Sequence, residues 1–169
     1  PQEYLEQQLR TLNIDEWNLH SERCSRQGLG GIDVQVQYPP QEDEGHGRTW
    51  NRIRELIGDS ALTENAKKTA SAIFERLAHA EAHIHNVTVS DVHFHEVGGI
   101  DAIIDICGTA IGLDWLGVDE IISAPVPVPR GWTSAAHGAL PLPAPATLAC
   151  LKGCQVVTTN ETGEWGTPT

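Results

Sequence analysis

The sequence predicts an α/β or α+β fold, a single domain over residues 1–169 with a mixed sheet flanked by helices and a long proline-rich loop. Three observations lead there. Ile32-Asp33-Val34-Gln35-Val36-Gln37-Tyr38 alternates apolar and polar side chains strictly, the period of a strand with one covered face. Leu62 to Ile84 and Ile100 to Ile111 instead carry apolar residues at helical spacing. Six of the ten prolines fall between 125 and 145, a density that reads as loop because proline lacks the donor that helices and central strands need.

Taken in order, Leu5, Leu9 and Leu12 predict a first amphipathic helix. Trp17 to Cys24 and 31–38 read as strands, joined by a loose hairpin through Gly28, Gly30 and Gly31. Residues 39–47 form a polar, acidic loop with His46. A short helix follows, with Trp50, Ile53 and Ile57 inward and Gly58 as its stop. Thr63 is placed to cap the longest helix, whose stripe of Leu62, Ala66, Ala70, Ile73, Leu77, Ala80 and Ile84 runs to about His85. Residues 92–95 read as extended, and Gly98-Gly99 opens a helix with the stripe Ile100, Ile103, Ile104, Cys107 and Ile111. Gly108 and Gly112 leave one face of that helix bare, for tight helix packing or for a flat ligand. Asp119 to Ala124 and 154–159 read as further strands. Between them, Pro125–Pro129 and Pro141–Pro145 frame a stiff, polyproline-like loop that presents Arg130 and His137.

At 169 residues the chain is long enough for one core. A net charge of −12 without a basic stripe argues against nucleic acid and anionic membranes as partners. Cys24, Cys107, Cys150 and Cys154 follow neither a disulfide nor a zinc spacing, which points to a reduced, cytoplasmic protein. Cys150 and Cys154 could ligate a soft metal, but read more readily as a helix end followed by a strand start. The lack of methionine and the final Trp165-Gly166-Thr167-Pro168-Thr169 suggest a piece of something longer.

The chemistry concentrates in Val92-His93-Phe94-His95-Glu96-Val97-Gly98-Gly99-Ile100-Asp101, with Asp105 one helical turn on. Imidazole nitrogens with carboxylate oxygens suit transition metals. In extended backbone His93 and His95 share one face and Val92 and Phe94 the other, whereas a helix would separate the two histidines. Asp101 and Asp105, at i,i+4, can face one ion. A plainer reading also stands: His-x-His as a polar strand face, and Asp101 as a favourable charge at a helix N-terminus. His85, near the turn into this segment, is a further candidate ligand. His79 and His83 have the i,i+4 spacing that can chelate a metal, without a third ligand nearby in sequence. Arg130, the only arginine in the second half of the chain, suits a phosphate or carboxylate, and is otherwise a solvated charge.

His93-Phe94-His95-Glu96-Val97-Gly98, Asp101 with Asp105-Ile106, and His137-Gly138 with Leu140-Pro141 and Pro143-Ala144-Pro145-Ala146-Thr147 together resemble the nickel insertion family of the lactate racemase nickel-pincer cofactor pathway (LarC). Gly163-Glu164 with Thr167-Pro168-Thr169 resembles a further stretch of that family, so the similarity runs from about the first helix to the last residue. The resemblance implies a nickel-inserting cyclometallase. Such a protein places nickel in a pyridinium bisthiocarboxylate mononucleotide through two Ni–S bonds and one Ni–C bond, for use by an apo-racemase. It also implies dependence on CTP with a divalent cation, bound through a C-terminal domain outside this chain. His93, His95 and Glu96 would hold the metal, with His85, and Asp101 and Asp105 would form a second shell or second cation site. Glu96 and His137 would be catalytic, and Arg130 and His137 would face the substrate. The chain departs from the family in three respects: the opening strand is not present before Pro1, residues 41–47 hold only His46 where many members have a histidine-rich loop, and the C-terminal domain is missing. The expectation is therefore a fragment that does not complete the reaction alone, with an exposed sheet edge that favours homo-oligomers. Two other readings remain: a metal-dependent hydrolase in which Glu96 activates water, and a non-catalytic nickel chaperone.

Overall fold

A computed structural model describes residues 2–14, 16–39, 48–94, 97–135 and 138–162. Among them the chain forms α1 (Gln2–Arg10), β1 (Asn18–Arg26), β2 (Leu29–Gln37), α2 (Trp50–Asp59), α3 (Glu64–His85), a 3-10 turn at Val89–Asp91, α4 (Ile100–Leu116), β3 (Val126–Ala135), β4 (Gly138–Leu142), α5 (Pro145–Cys150) and β5 (Val156–Thr162). Helices and sheets are segregated along the chain, so the architecture is α+β.

The core is helical. Leu9 and Leu12 from the α1 end, Ile53 and Ile57 from α2, Phe74 from α3 and Ile100, Ile103 and Cys107 from α4 meet Val92 and Phe94 in one buried cluster. Phe74 lies at its centre, stacked on Trp50 at 6.4 Å and tilted against Phe94 at 6.1 Å. The row of α3 that faces inward is Ala66, Ala70, Phe74, Ala78 and Ala82, strictly every fourth residue. Ile73 and Leu77, expected on that stripe, are half-buried, and Ile84 is exposed. Small alanines let α3 approach α4 closely, so the sparse large side chain, Phe74, fills the remaining space. On α4, a Cβ at Gly108 would rest in ordinary contact with Leu5 and Leu9 of α1 and one at Gly112 would meet nothing within 4 Å, so the close approach expected on this face does not require glycine at either position.

Capping decides the helix ends. The Thr63 hydroxyl accepts the Ala66 N–H at 3.1 Å, as its position before α3 predicts. Gly58 is not the stop of α2. The helix runs on to Asp59, and Ser60 ends it by donating both N–H and hydroxyl to the Ile57 carbonyl. At the far end of α4, Asp114 accepts from the Thr63 hydroxyl at 2.6 Å and from the Asn65 side-chain amide at 2.7 Å, stapling α4 to the start of α3. Those two hydrogen bonds hold its carboxyl below the ordinary carboxylate range. A group whose folded pKa is depressed stabilises above its unfolded pKa, and that contribution disappears as pH falls through the folded value. Asp114→Asn should therefore lower the melting temperature at neutral pH, with the difference from wild type shrinking in acid. A pH-independent difference in thermal unfolding would contradict the staple.

The strands do not form the single mixed sheet expected. β1 and β2 are a two-stranded antiparallel ribbon, and β4-β3-β5 is a separate three-stranded sheet, antiparallel on the β4 side and parallel on the β5 side. Because helices fill the interior, the ribbon needs to cover only one flank. Its Leu19–Val36 pair packs on the core while Ile32 and Val34 project beyond it, exposed. Asp119–Ala124, read as a strand, is not one; Ile121 and Ile122 are 72% and 85% exposed. Adjacent β-branched residues favour extended backbone, but a strand also requires a ladder partner, and none of the described strands pairs with this segment.

The proline-rich segment is the converse case: it is β3 and β4 rather than a loop. The Val126 N–H donates to the Gln155 carbonyl at 2.9 Å, so the donor side of that residue faces β5. Pro127, one residue on, turns to the other edge, and β4 pairs with β3 only from Gly131 onward. Pro129 falls at the register shift between Val128 and Arg130, and Pro141 lies in β4, an edge strand. Edges and irregularities are the places in a sheet where a missing N–H costs nothing. Pro145 opens α5 at a position where its N–H would have had no partner. Cys150 ends that helix and Cys154 precedes β5, as expected. The Arg76 guanidinium donates to the Cys150 carbonyl at 2.9 and 2.6 Å and to Lys152 at 3.1 Å, docking α5 on α3.

Candidate metal centre at the His93 segment

The segment 92–94 is extended, and its alternation is the one the sequence predicts. Val92 and Phe94 are 1% and 2% exposed within the core, and His93 between them faces outward. The backbone is held in register against the start of α2. The Trp50 N–H donates to the Val92 carbonyl and the Phe94 N–H to the Arg48 carbonyl, both at 3.1 Å, with Thr49 and His93 as the bridged pair. Two apolar anchors and a backbone bridge thus fix the direction of the His93 side chain. His95 and Glu96, the other two residues expected to hold the metal, lie outside the described residues.

Gly98 follows directly and is buried. A Cβ there would stand 2.5 Å from the Phe94 carbonyl oxygen and 2.8 Å from the Arg48 backbone nitrogen, so only glycine lets the chain fold back against its own strand. The Arg48 guanidinium donates to the Gly98 carbonyl at 3.1 Å, closing the same turn from the other side. Arg48 is a positioning residue that the sequence did not reveal: nothing local ties position 48 to position 98.

Gly99 begins α4 without a side-chain cap, and Asp101 sits in its first turn, where its carboxylate accepts the Ala102 N–H at 2.9 Å. Asp105 is one turn further on. Its carboxyl is raised above the ordinary range, first by partial burial and then by the charge of Asp101. The two carboxylates therefore sense each other on one face, as the i,i+4 spacing predicts. Such a pair suits a cation, which relieves the repulsion.

The remaining candidates are less closely joined. His85, in the last turn of α3, has its Nε2 3.1 Å from Glu81 on the same helix. Arg130 is exposed on β3, opposite Thr162 of β5, on a sheet to which His93 does not belong. His137 lies outside the described residues. Arg130 is accordingly presented by a sheet strand, not by a stiff loop. Among the described residues no three His, Cys, Asp or Glu side chains converge on an ion, so His93, Asp101, Asp105 and His85 do not complete a centre by themselves.

Against known proteins, the family model described as nickel insertion protein matches residues 1–169. A chain of Thermomicrobium roseum named for nickel insertion is 42% identical over 171 residues, covering 100% of this chain and 41% of its own length. One from Roseiflexus castenholzii is 45% identical, covering 98% and 42%. The pyridinium-3,5-bisthiocarboxylic acid mononucleotide nickel insertion protein of Desulfitobacterium hafniense is 41% identical, covering 98% and 40%. The chain thus spans about two fifths of the length of these relatives. No solved structure matches.

Proposed function

Because the chain belongs to the nickel insertion protein family, we propose that it carries the nickel-handling part of a protein that inserts Ni(II) into pyridinium-3,5-bisthiocarboxylic acid mononucleotide. The observation that carries this reading is the His93 segment: one imidazole held outward by two buried neighbours, immediately before a helix that opens with two coupled carboxylates. His93, His95 and Glu96 hold the incoming ion, with His85 as a further donor, and Asp101 and Asp105 bind around it or hold a second cation. The nickel is a substrate. The two thiocarboxylate sulfurs and one ring carbon of the mononucleotide become its ligands, the ring C–H breaks as the Ni–C bond forms, and Glu96 or His137 accepts the released proton. No change of oxidation state is needed. Arg130, with His137, faces the mononucleotide phosphate. CTP and its divalent cation bind outside residues 1–169, and the product matures an apo-lactate racemase.

The setting proposed is the cytoplasm. Among the described residues no helix is long and apolar enough to cross a membrane. Exposed Trp115, Leu116, Ile121, Ile122 and Trp132 support self-association.

The test is activation of apo-lactate racemase by the full-length parent protein with Ni(II), CTP and the mononucleotide. His93→Ala/His95→Ala in that protein should abolish activation and weaken Ni(II) binding, read by calorimetry, by about tenfold or more. Unchanged activation removes these residues from the site. Light scattering on the same preparations reads assembly, and the monomer mass at every concentration removes the homo-oligomer.

A further inference from the structure

We propose that His79 and His83 form a second cation site, an open two-imidazole site for a borderline divalent ion such as Ni(II) on the exposed side of α3. It is separate from the His93 segment and does not depend on the reading above. Helix α3 is continuous from Glu64 to His85, so the two histidines stand one turn apart on one face. That is the spacing by which two helical histidines share a zinc ion in metalloproteases. Both residues are exposed, and neither ring takes part in a hydrogen bond or ion pair among the described residues, whereas His85 on the same helix is engaged by Glu81.

The neighbourhood favours a cation. Glu75, also exposed, precedes His79 by one turn on the same row, where a carboxylate can accept from a metal-bound water. His83 lies in the last turn of α3, beside the carbonyls of the negative helix end. The chain carries a net charge of −12. Two neutral nitrogen donors select late transition metals over Mg(II) or Ca(II), whose preferred ligands are oxygens. Among the described residues no third His, Cys, Asp or Glu completes the set, so water keeps the other positions. A structural zinc site is closed by four protein ligands; an open pair binds an ion that remains exchangeable. Such a site concentrates nickel at the surface without trapping it.

Ni(II) titration followed by calorimetry, in the His93→Ala/His95→Ala background, removes the competing imidazole pair, and the His79 and His83 substitutions then report on this site. One ion per chain should bind there. Adding His79→Ala or His83→Ala should weaken that binding by about tenfold or more. A geometric control keeps the histidine count: His83→Ala/Ile84→His moves the second imidazole to i+5, about 140° around the helix from the first, and should weaken binding as much as His83→Ala does. Ile84 is already 39% exposed, so the helix tolerates the change, and far-UV circular dichroism verifies that each variant is folded. Absence of Ni(II) binding in the parent background, or affinity unaltered by His79→Ala or by the shifted pair, overturns the proposal.

Discussion

Replacing Phe74 by alanine is expected to destabilise the protein by about 3–5 kcal/mol. The ring is fully buried and touches both Trp50 of α2 and Phe94 of the segment that carries His93. The residues before and after it in its own row, Ala70 and Ala78, are alanines, which have no side-chain length with which to collapse into the cavity. A loss of that size is a large part of a typical domain stability of about 5–15 kcal/mol. It corresponds to a fall in melting temperature of about 6–20 °C for a chain of this length. Thermal unfolding followed by circular dichroism measures it. A fall of only one or two degrees would mean that Phe74 is not the centre of the core. The same cavity loosens Phe94, so nickel affinity at His93 should decline before the protein unfolds.

Gly98→Ala is the second large effect, expected to cost about 1–3 kcal/mol or more through overpacking. The atoms that the new methyl would meet are backbone, the Phe94 carbonyl oxygen and the Arg48 nitrogen, so no side-chain rotation relieves the contact. Relief requires the 92–94 segment to separate from Arg48–Trp50, which breaks the Phe94 N–H to Arg48 hydrogen bond and releases the register of His93. Urea unfolding and Ni(II) titration should therefore both register the substitution. Gly112→Ala is the internal comparison. Nothing lies within 4 Å of a Cβ there, and the position is inside α4. Alanine in a helix interior should stabilise it by about 0.5–1 kcal/mol. Equal effects at the two glycines would refute the close approach at Gly98.

Local patterns were enough to place α1, α2, α3 and α4, the Thr63 cap and the β1–β2 ribbon, because period, cap chemistry and apolar spacing act within a few residues. The outward direction of His93 and the pairing of Asp101 with Asp105 were legible for the same reason: strand alternation and the helical turn are properties of neighbouring backbone. Tertiary structure decided the rest. Whether Ile121 and Ile122 join a ladder depends on a partner strand that no local pattern announces. Whether prolines are tolerated in β3 depends on which edge is still unpaired at Pro127 and where the register breaks near Pro129. The contact of Gly98 with Arg48 spans fifty positions, and Phe74 became the core's centre only because α2, α4 and the 92–94 segment converge on it. Strand pairing, close backbone approach and core packing are nonlocal, so their energies appear only when distant segments meet.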